Sequence, residues 1–317
     1  QFDELYRLLG EPLPLDAKCN LMPYENISEY RAFFQANALF SKADDLPALT
    51  GLAEKALQDF LDCEQLNKET NIRFLTKGVS SPLIYQTSRV IADILGEYSE
   101  LDMAQNLRFG PGVSSSCRGS MATLAHKLEA DITCTPRSRE IVERTFKHFF
   151  QYYHRLKPVT SPEHYNHFTT VPKTYKQVRG ICIGQHGNIV VQLAYGALLR
   201  RKFKKCIDLD HAADVHRHLV EKKWREIATI DLRSASQMIA RRAVQAVWPE
   251  HWLSVMDDLR EEYTLLPDGT KNYNQHYSAM GNGFTFEMES ILFYSIAKAA
   301  MLNAGLKWTY LSVFGDD

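Results

Sequence analysis

Two β-rich apolar runs in this chain end on carboxylates, and few features restrict a fold more. Ile227-Ala228-Thr229-Ile230 leads into Asp231 and Leu232, and Thr309-Tyr310-Leu311-Ser312-Val313-Phe314 leads through Gly315 into Asp316 and Asp317. Glycine permits the positive φ of a tight turn, so Asp316 and Asp317 are expected at the tip of a hairpin. Taken alone, that pair is more simply an ordinary acidic turn. If the two strands are neighbours in one sheet, however, Asp231 and Asp316 converge, and converging carboxylates either share a proton or hold cations. Oxygen donors of high negative charge select Mg2+ or Mn2+ over zinc. Two such ions, about 3.5 to 4 Å apart, activate an attacking hydroxyl and stabilise a departing pyrophosphate. That is the chemistry of nucleotidyl transfer.

A chain of 317 residues, 45% hydrophobic and 24% charged, can bury a sizeable core in one large or two ordinary domains. No stretch approaches the roughly 18 apolar residues of a membrane span. The start, Gln1-Phe2-Asp3-Glu4, lacks the basic-then-apolar order of a signal peptide, so a soluble, intracellular protein without membrane contact is expected. Cys19, Cys63, Cys117, Cys134, Cys182 and Cys206 have no zinc-knuckle spacing and read as reduced thiols. A net charge of −1 argues against a generally basic nucleic-acid binder. Distribution matters more. From residue 155 to 205 the cations Arg155, Lys157, Lys173, Lys176, Arg179, Arg200, Arg201, Lys202, Lys204 and Lys205 face a single acid, Glu163. Arg200 to Lys205 reads either as a surface for a polyanion or as a helix end complementing the macrodipole.

The first half reads as mainly helical, with helices over Leu46–Leu61, where Pro47 suits the first turn, and Ser138–Leu156. Phe146, Phe149, Phe150 and Tyr153 share one face of the latter, a pattern that core packing explains better than base stacking. Arg108-Phe109-Gly110-Pro111-Gly112-Val113-Ser114-Ser115-Ser116, followed by Arg118, is a loop able to offer backbone amides to phosphate, though most such segments are only turns. Later, β-type runs at Gly180–Ile183 and Glu226–Leu232 alternate with helices, and Leu266-Pro267-Asp268-Gly269 marks a tight turn. The coarse expectation is a helical region followed, from about residue 220, by an α+β region.

Two further elements bear on chemistry. Ser278-Ala279-Met280-Gly281-Asn282-Gly283 precedes a helix reaching about Ala304; its glycines would let a nucleotide or template strand pass close, with the helix N-terminus favouring phosphate. Val171-Pro172-Lys173-Thr174-Tyr175-Lys176-Gln177-Val178-Arg179 sets three cations at three-residue steps in an extended segment, as a triphosphate requires.

With these elements in this order, the sequence resembles the RNA-dependent RNA polymerases and, within them, the replicase beta subunits of the leviviruses, the small RNA bacteriophages. Val171–Ile183 is similar to that family's basic fingers motif, Thr229–Ser236 to its first metal-binding motif, Ser278–Ser290 to its Gly-Asn-Gly motif and Val313–Asp317 to its catalytic hairpin. The Phe109–Ser116 segment matches as well, so the resemblance runs from about residue 106 to the end. It implies a catalytic set of Asp231, Asp316 and Asp317 and a metal set of these with Leu232. Lys173, Lys176, Arg179, Ser236, Gly281 and Asn282 would bind the incoming nucleotide, and Arg108, Gly110, Gly112, Arg118 and Gly283 the RNA. Departures occur at Arg233 and Ala279, where the family tends to have serine, at Phe314, where it has tyrosine, and at Gln237, where it has aspartate. The last puts the ribose readout in question.

The implied fold is α+β, a right-hand polymerase with helical fingers over residues 1–220 and an antiparallel-sheet palm over 221–317. The fingers carry the basic segment 171–183, and the palm carries a fingers insertion near 249–277. A further palm segment and a thumb are implied beyond Asp317, so the chain is expected to be a fragment at both ends. The implied reaction is RNA-templated RNA synthesis on a viral genome, with two Mg2+ (or Mn2+) ions and ribonucleoside triphosphates. Host elongation factors Tu and Ts and a ribosomal protein, in a bacterial cytoplasm, are the implied partners. A reverse transcriptase and a catalytically inactive RNA-binding fragment are the alternatives.

Overall fold

The computed structural model describes residues 50–78, 80–149, 158–174, 177–223, 225–307 and 310–316. Lys176, Asp317, Pro47, Phe150 and Tyr153 lie outside the described residues. The chain divides into two compact units, Gln1–Ala56 with Thr170–Arg179, and Leu57–Thr169 with Gly180–Asp317.

In chain order the described elements are α1 (Leu52–Lys77), α2 (Pro82–Leu95), α3 (Glu100–Ala104), α4 (Leu124–Glu129), β1 (Ile132–Cys134), α5 (Arg139–Phe149), β2 (Pro158–Thr160), β3 (Tyr165–Thr174) and β4 (Gln177–Ile183). There follow α6 (His186–Phe203), α7 (Ala212–Lys223), α8 (Arg241–Val247), α9 (Glu250–Leu259), β5 (Tyr263–Leu265), β6 (Lys271–Tyr273) and α10 (Thr285–Asn303). The class is mixed helix and sheet, in line with the α+β expectation.

The centre of the larger unit is built on α6 and α10. Helix α6 buries Val190, Val191, Ala194, Tyr195, Leu198, Leu199 and Phe203 together with His186, Asn188 and Gln192. Burial all round removes the amphipathic stripe that a surface helix would show. The polar members are satisfied internally: the Asn188 and Gln192 side-chain amides both donate to the Leu259 carbonyl, at 3.1 and 2.8 Å. Helix α10 contributes Met288, Ile291 and Leu292 to the same core, and α2 packs on it with Val90, Ile91, Ile94 and Leu95. Each such fully buried aliphatic side chain contributes about 1.5–3 kcal/mol.

Helix α1 differs from the expected Leu46–Leu61 helix. Thr50 and Gly51 form a turn, Gly51 with φ +77°, and the helix continues to Lys77. Its later turns bury a polar stripe, which hides the apolar periodicity by which a helix is usually read. Glu64 accepts from the Gln275 and His276 backbone N–H groups at 2.7 and 3.0 Å, from His276 Nδ1 at 2.6 Å and from Asn272 Nδ2 at 2.9 Å. Asn67 donates to the Gln237 carbonyl at 2.6 Å and Asn71 to that of Gln275 at 2.9 Å.

The four-stranded sheet runs β4-β3-β5-β6, with β3 parallel to β5 and β5 antiparallel to β6; β1 and β2 form a separate parallel pair. The sheet is therefore mixed and draws strands from both sides of residue 220. The long β3-to-β5 connection, through α6 to α9, gives room for the crossover that parallel pairing needs. The expected turn closes β5 on β6: the Gly269 N–H donates to the Leu266 carbonyl at 3.0 Å, with Gly269 at φ +85°. The Glu226–Leu232 run is not a strand, because a strand requires a ladder. In this segment the backbone bond from Leu232 to Asp316 is a single rung among the described residues.

Among the described residues no helix is long and apolar enough to cross a membrane. Cys63, Cys117, Cys134, Cys182 and Cys206 are free thiols.

Candidate active site

The Leu232 N–H donates to the Asp316 carbonyl at 3.2 Å, so the segments bearing Asp231 and Asp316 lie side by side, with both aspartates exposed. The turn that carries Asp316 is seated on α10. Gly315, at φ +64°, donates its N–H to Ser290 Oγ at 2.9 Å, and Ser290 donates in turn to the Phe286 carbonyl at 2.8 Å. A Cβ at position 315 would lie 2.8 Å from the Phe286 ring and 3.1 Å from Glu289 Oε1, so space and backbone conformation both demand glycine. Phe314 packs edge-to-face on Phe286 with ring centroids 5.0 Å apart, and Ser312 Oγ shares a hydrogen bond with His216 Nε2 at 2.7 Å.

Glu289 belongs to this site and was missed in the sequence. It is 6% exposed, and its Oε2 has no hydrogen-bond partner among the described residues. Burial first, then the Asp316 charge, push its carboxyl up to about 7, against a hydrogen bond from Ser236. The available signal was an acid in the middle of a helix whose neighbours, Met288, Ile291 and Leu292, are core residues. Glu287, two positions earlier, is instead paired with Arg200 at 2.8 Å. Ser236 begins the 3-10 turn Ser236–Met238, which packs on α10 and so brings the Asp231 segment to that helix.

The Gly-Asn-Gly loop is shaped by protein contacts. Gly281 has φ +114°, and a Cβ there would collide with the Cys182 carbonyl of β4, whose N–H donates to the Met280 carbonyl at 2.8 Å. A Cβ on Gly283 would lie 2.7 Å from the Leu193 backbone nitrogen of α6. The backbones that pass close to these glycines are therefore β4 and α6. Asn282 Oδ1 accepts from the Phe284 N–H at 3.0 Å, and the Gly283 N–H is taken by Gln192 Oε1 at 3.1 Å. Glu287 lies in the first turn of α10, where its charge complements the helix N-terminus. Ala279 sits in an apolar cluster with Phe60, Phe168, Cys182 and Leu266, a setting that suits a residue without a hydroxyl.

The Gly110–Ser116 loop is braced from within. Lys127, 3% exposed, donates to the Gly110 and Gly112 carbonyls, Ser114 Oγ bonds His186 Nδ1 at 2.8 Å, and the Ser115 N–H donates to the Gly184 carbonyl at 3.0 Å. Flanking it, Arg108 and Arg118 are exposed and make no ion pair among the described residues. The run from Arg200 to Lys205 is by contrast spent internally. Arg200 pairs with Asp210 as well as Glu287, Arg201 with Asp102 and Lys204 with Asp208, while Lys202 and Lys205 donate to the Glu97 and Asp93 carbonyls. Arg200, Arg201 and Lys202 lie in the last turn of α6.

Lys173 and Arg179 are exposed residues of β3 and β4 in the other compact unit. The residues brought together are thus Asp231, Leu232, Ser236, Glu289 and Asp316. No group of three or more His, Cys, Asp or Glu side chains among the described residues is arranged to hold a metal.

The family model for RNA replicase, beta-chain, matches residues 24–317. The chain is 29% identical over 303 residues to the RNA-directed RNA polymerase subunit beta of Escherichia virus Qbeta, covering 91% of this chain and 50% of that protein. Over 272 residues it is 30% identical to the RNA-directed RNA polymerase beta chain of Enterobacteria phage fr, 80% of this chain and 48% of the relative. Over 151 residues it is 37% identical to that of Escherichia phage MS2, 47% and 27% respectively. The chain spans about half the length of the curated relatives it matches.

Proposed function

The chain belongs to the RNA replicase beta-chain family of the small RNA bacteriophages, and from that premise we propose that it carries the nucleotidyl-transfer site of an RNA-directed RNA polymerase. The observation that carries this reading is the Leu232-to-Asp316 backbone bond, which sets two exposed carboxylates on adjoining segments. Mg2+ keeps several waters and takes one or two protein carboxylates together with substrate phosphates, so this sparse oxygen set fits it. Asp231 and Asp316 would hold the ions, with Leu232 through its backbone carbonyl and Asp317 beside them. When bound, two ions would activate the 3′-hydroxyl of the growing RNA and stabilise the departing pyrophosphate.

Lys173, Lys176 and Arg179 are the candidates to offset triphosphate charge, Ser236 and Asn282 to meet the ribose, and Arg108 and Arg118 to contact the template. The proposed arrangement is a right hand with fingers over 1–220 and palm over 221–317. Elongation factors Tu and Ts, a ribosomal protein and a bacterial cytoplasm complete the proposal. The test is incorporation of labelled ribonucleotides on an RNA template with Mg2+. Incorporation by the wild type and background signal from Asp316→Asn is the expected result; equal signal from both sinks the assignment.

A further inference from the structure

Two other buried acids of the larger unit are tied off, Glu64 by the backbone and side chains of residues 272–276 and Glu287 by Arg200. Glu289 is different. One oxygen, Oε1, faces Gly315 at the point where any side chain would begin, 3.1 Å from the Cβ position. The 3-10 turn Ser236–Met238, which begins five residues past Asp231, packs on the same helix. The other oxygen, Oε2, is buried with no partner among the described residues. An unsatisfied buried polar group destabilises the fold, and a leucine or methionine of similar volume would fill the space without that cost. Core packing alone therefore does not account for an acid here.

We propose that Glu289 is a positioning residue for the metal-binding carboxylates, tying the Asp231 segment, through Ser236, and the Asp316 turn, through Gly315, to the same helix. The inference rests on reading Asp231 and Asp316 as metal ligands. Each of those ligands is on a segment without a full strand ladder, so their relative placement needs a fixed element, and α10 is the rigid body both segments reach. Groups that hold a metal ligand in place affect metal affinity by about 10–100-fold when mutated.

The test measures Mn2+ binding by the nucleotide-free chain, from the electron paramagnetic resonance signal of the free ion. Wild type, Asp316→Asn, Glu289→Gln and Ser236→Ala are compared, each with circular dichroism and a melting temperature in EDTA. Asp316→Asn is expected to abolish binding. Glu289→Gln is expected to fold and melt near the wild type yet bind Mn2+ about 10–100-fold more weakly, with Ser236→Ala moving in the same direction by less. Wild-type affinity in folded Glu289→Gln overturns the inference and leaves the metal reading standing. Should that variant fail to fold, unchanged affinity in Ser236→Ala overturns it instead. Wild-type binding that Asp316→Asn does not alter overturns the metal reading, and the inference with it.

Discussion

Replacing Gly281 by alanine tests whether the Gly-Asn-Gly loop is built for its own protein or for a ligand. At φ +114° a side chain is strained, and the added Cβ would stand 3.1 Å from the Cys182 carbonyl carbon and inside the contact distance of its oxygen. Backbone strain of this kind costs about 1–3 kcal/mol. Moving the loop away from β4 to relieve the clash breaks the bond from the Cys182 N–H to the Met280 carbonyl, about 0.5–1.5 kcal/mol more. The total, roughly 2–4 kcal/mol, corresponds to a melting temperature lower by about 5–10 °C in a unit of this size. The assay is thermal denaturation by circular dichroism in EDTA, with no RNA or nucleotide present. Gly112→Ala is the control, since a Cβ there meets nothing within 4 Å, and its change should stay within about 0.5 kcal/mol. Wild-type melting of Gly281→Ala combined with weakened nucleotide binding would refute the reasoning, because the glycine would then serve ligand clearance rather than the contact with β4.

Ser290→Ala leaves the buried Gly315 N–H without its acceptor, a loss of about 1–3 kcal/mol that falls on the turn carrying Asp316; under the proposed function RNA synthesis is expected to fall more than global stability, as read by incorporation and melting side by side. Burial pushes the Glu261 carboxyl up from an ordinary 4.5 to about 7, so the folded state favours its neutral form. The associated stability is complete below pH 4.5 and lost as pH rises towards 7, about 3 kcal/mol in all; Glu261→Gln should flatten denaturant midpoints across that window, and an unchanged slope would contradict the assignment. Arg108→Gln and Arg118→Gln should each lower the salt dependence of RNA binding by about 0.7 in log–log slope. Arg201→Gln and Lys204→Gln should leave that slope unchanged, since their charges are already paired.

Local chemistry was legible in the sequence where a short segment determines its own shape. Leu266-Pro267-Asp268-Gly269 closes β5 on β6, and the helix after Gly283 runs to Asn303. Partnerships between distant residues were not legible. Glu289 looks in sequence like one more polar residue of a helix, and only its proximity to Gly315 and Ser236 gives it meaning. Lys127 resembles any surface lysine, yet it is buried to hold the Gly110 and Gly112 carbonyls. The basic run at Arg200–Lys205 looked available because its counter-charges, Asp102 and Glu287 among them, are scattered along the chain. The run before Asp231 has strand composition, but composition supplies no ladder partner.

The polar stripe on α1 has a consequence for how the protein is made. Glu64 finds Gln275 across a separation of 211 residues, so during synthesis at about 5–20 residues per second the helix waits roughly 10–40 s for its partners to leave the ribosome. An apolar stripe of the same length would spend that interval as a sticky surface. A stripe of Glu64, Asn67 and Asn71 is hydrated in the meantime and exchanges water for protein only when residues 237–276 arrive.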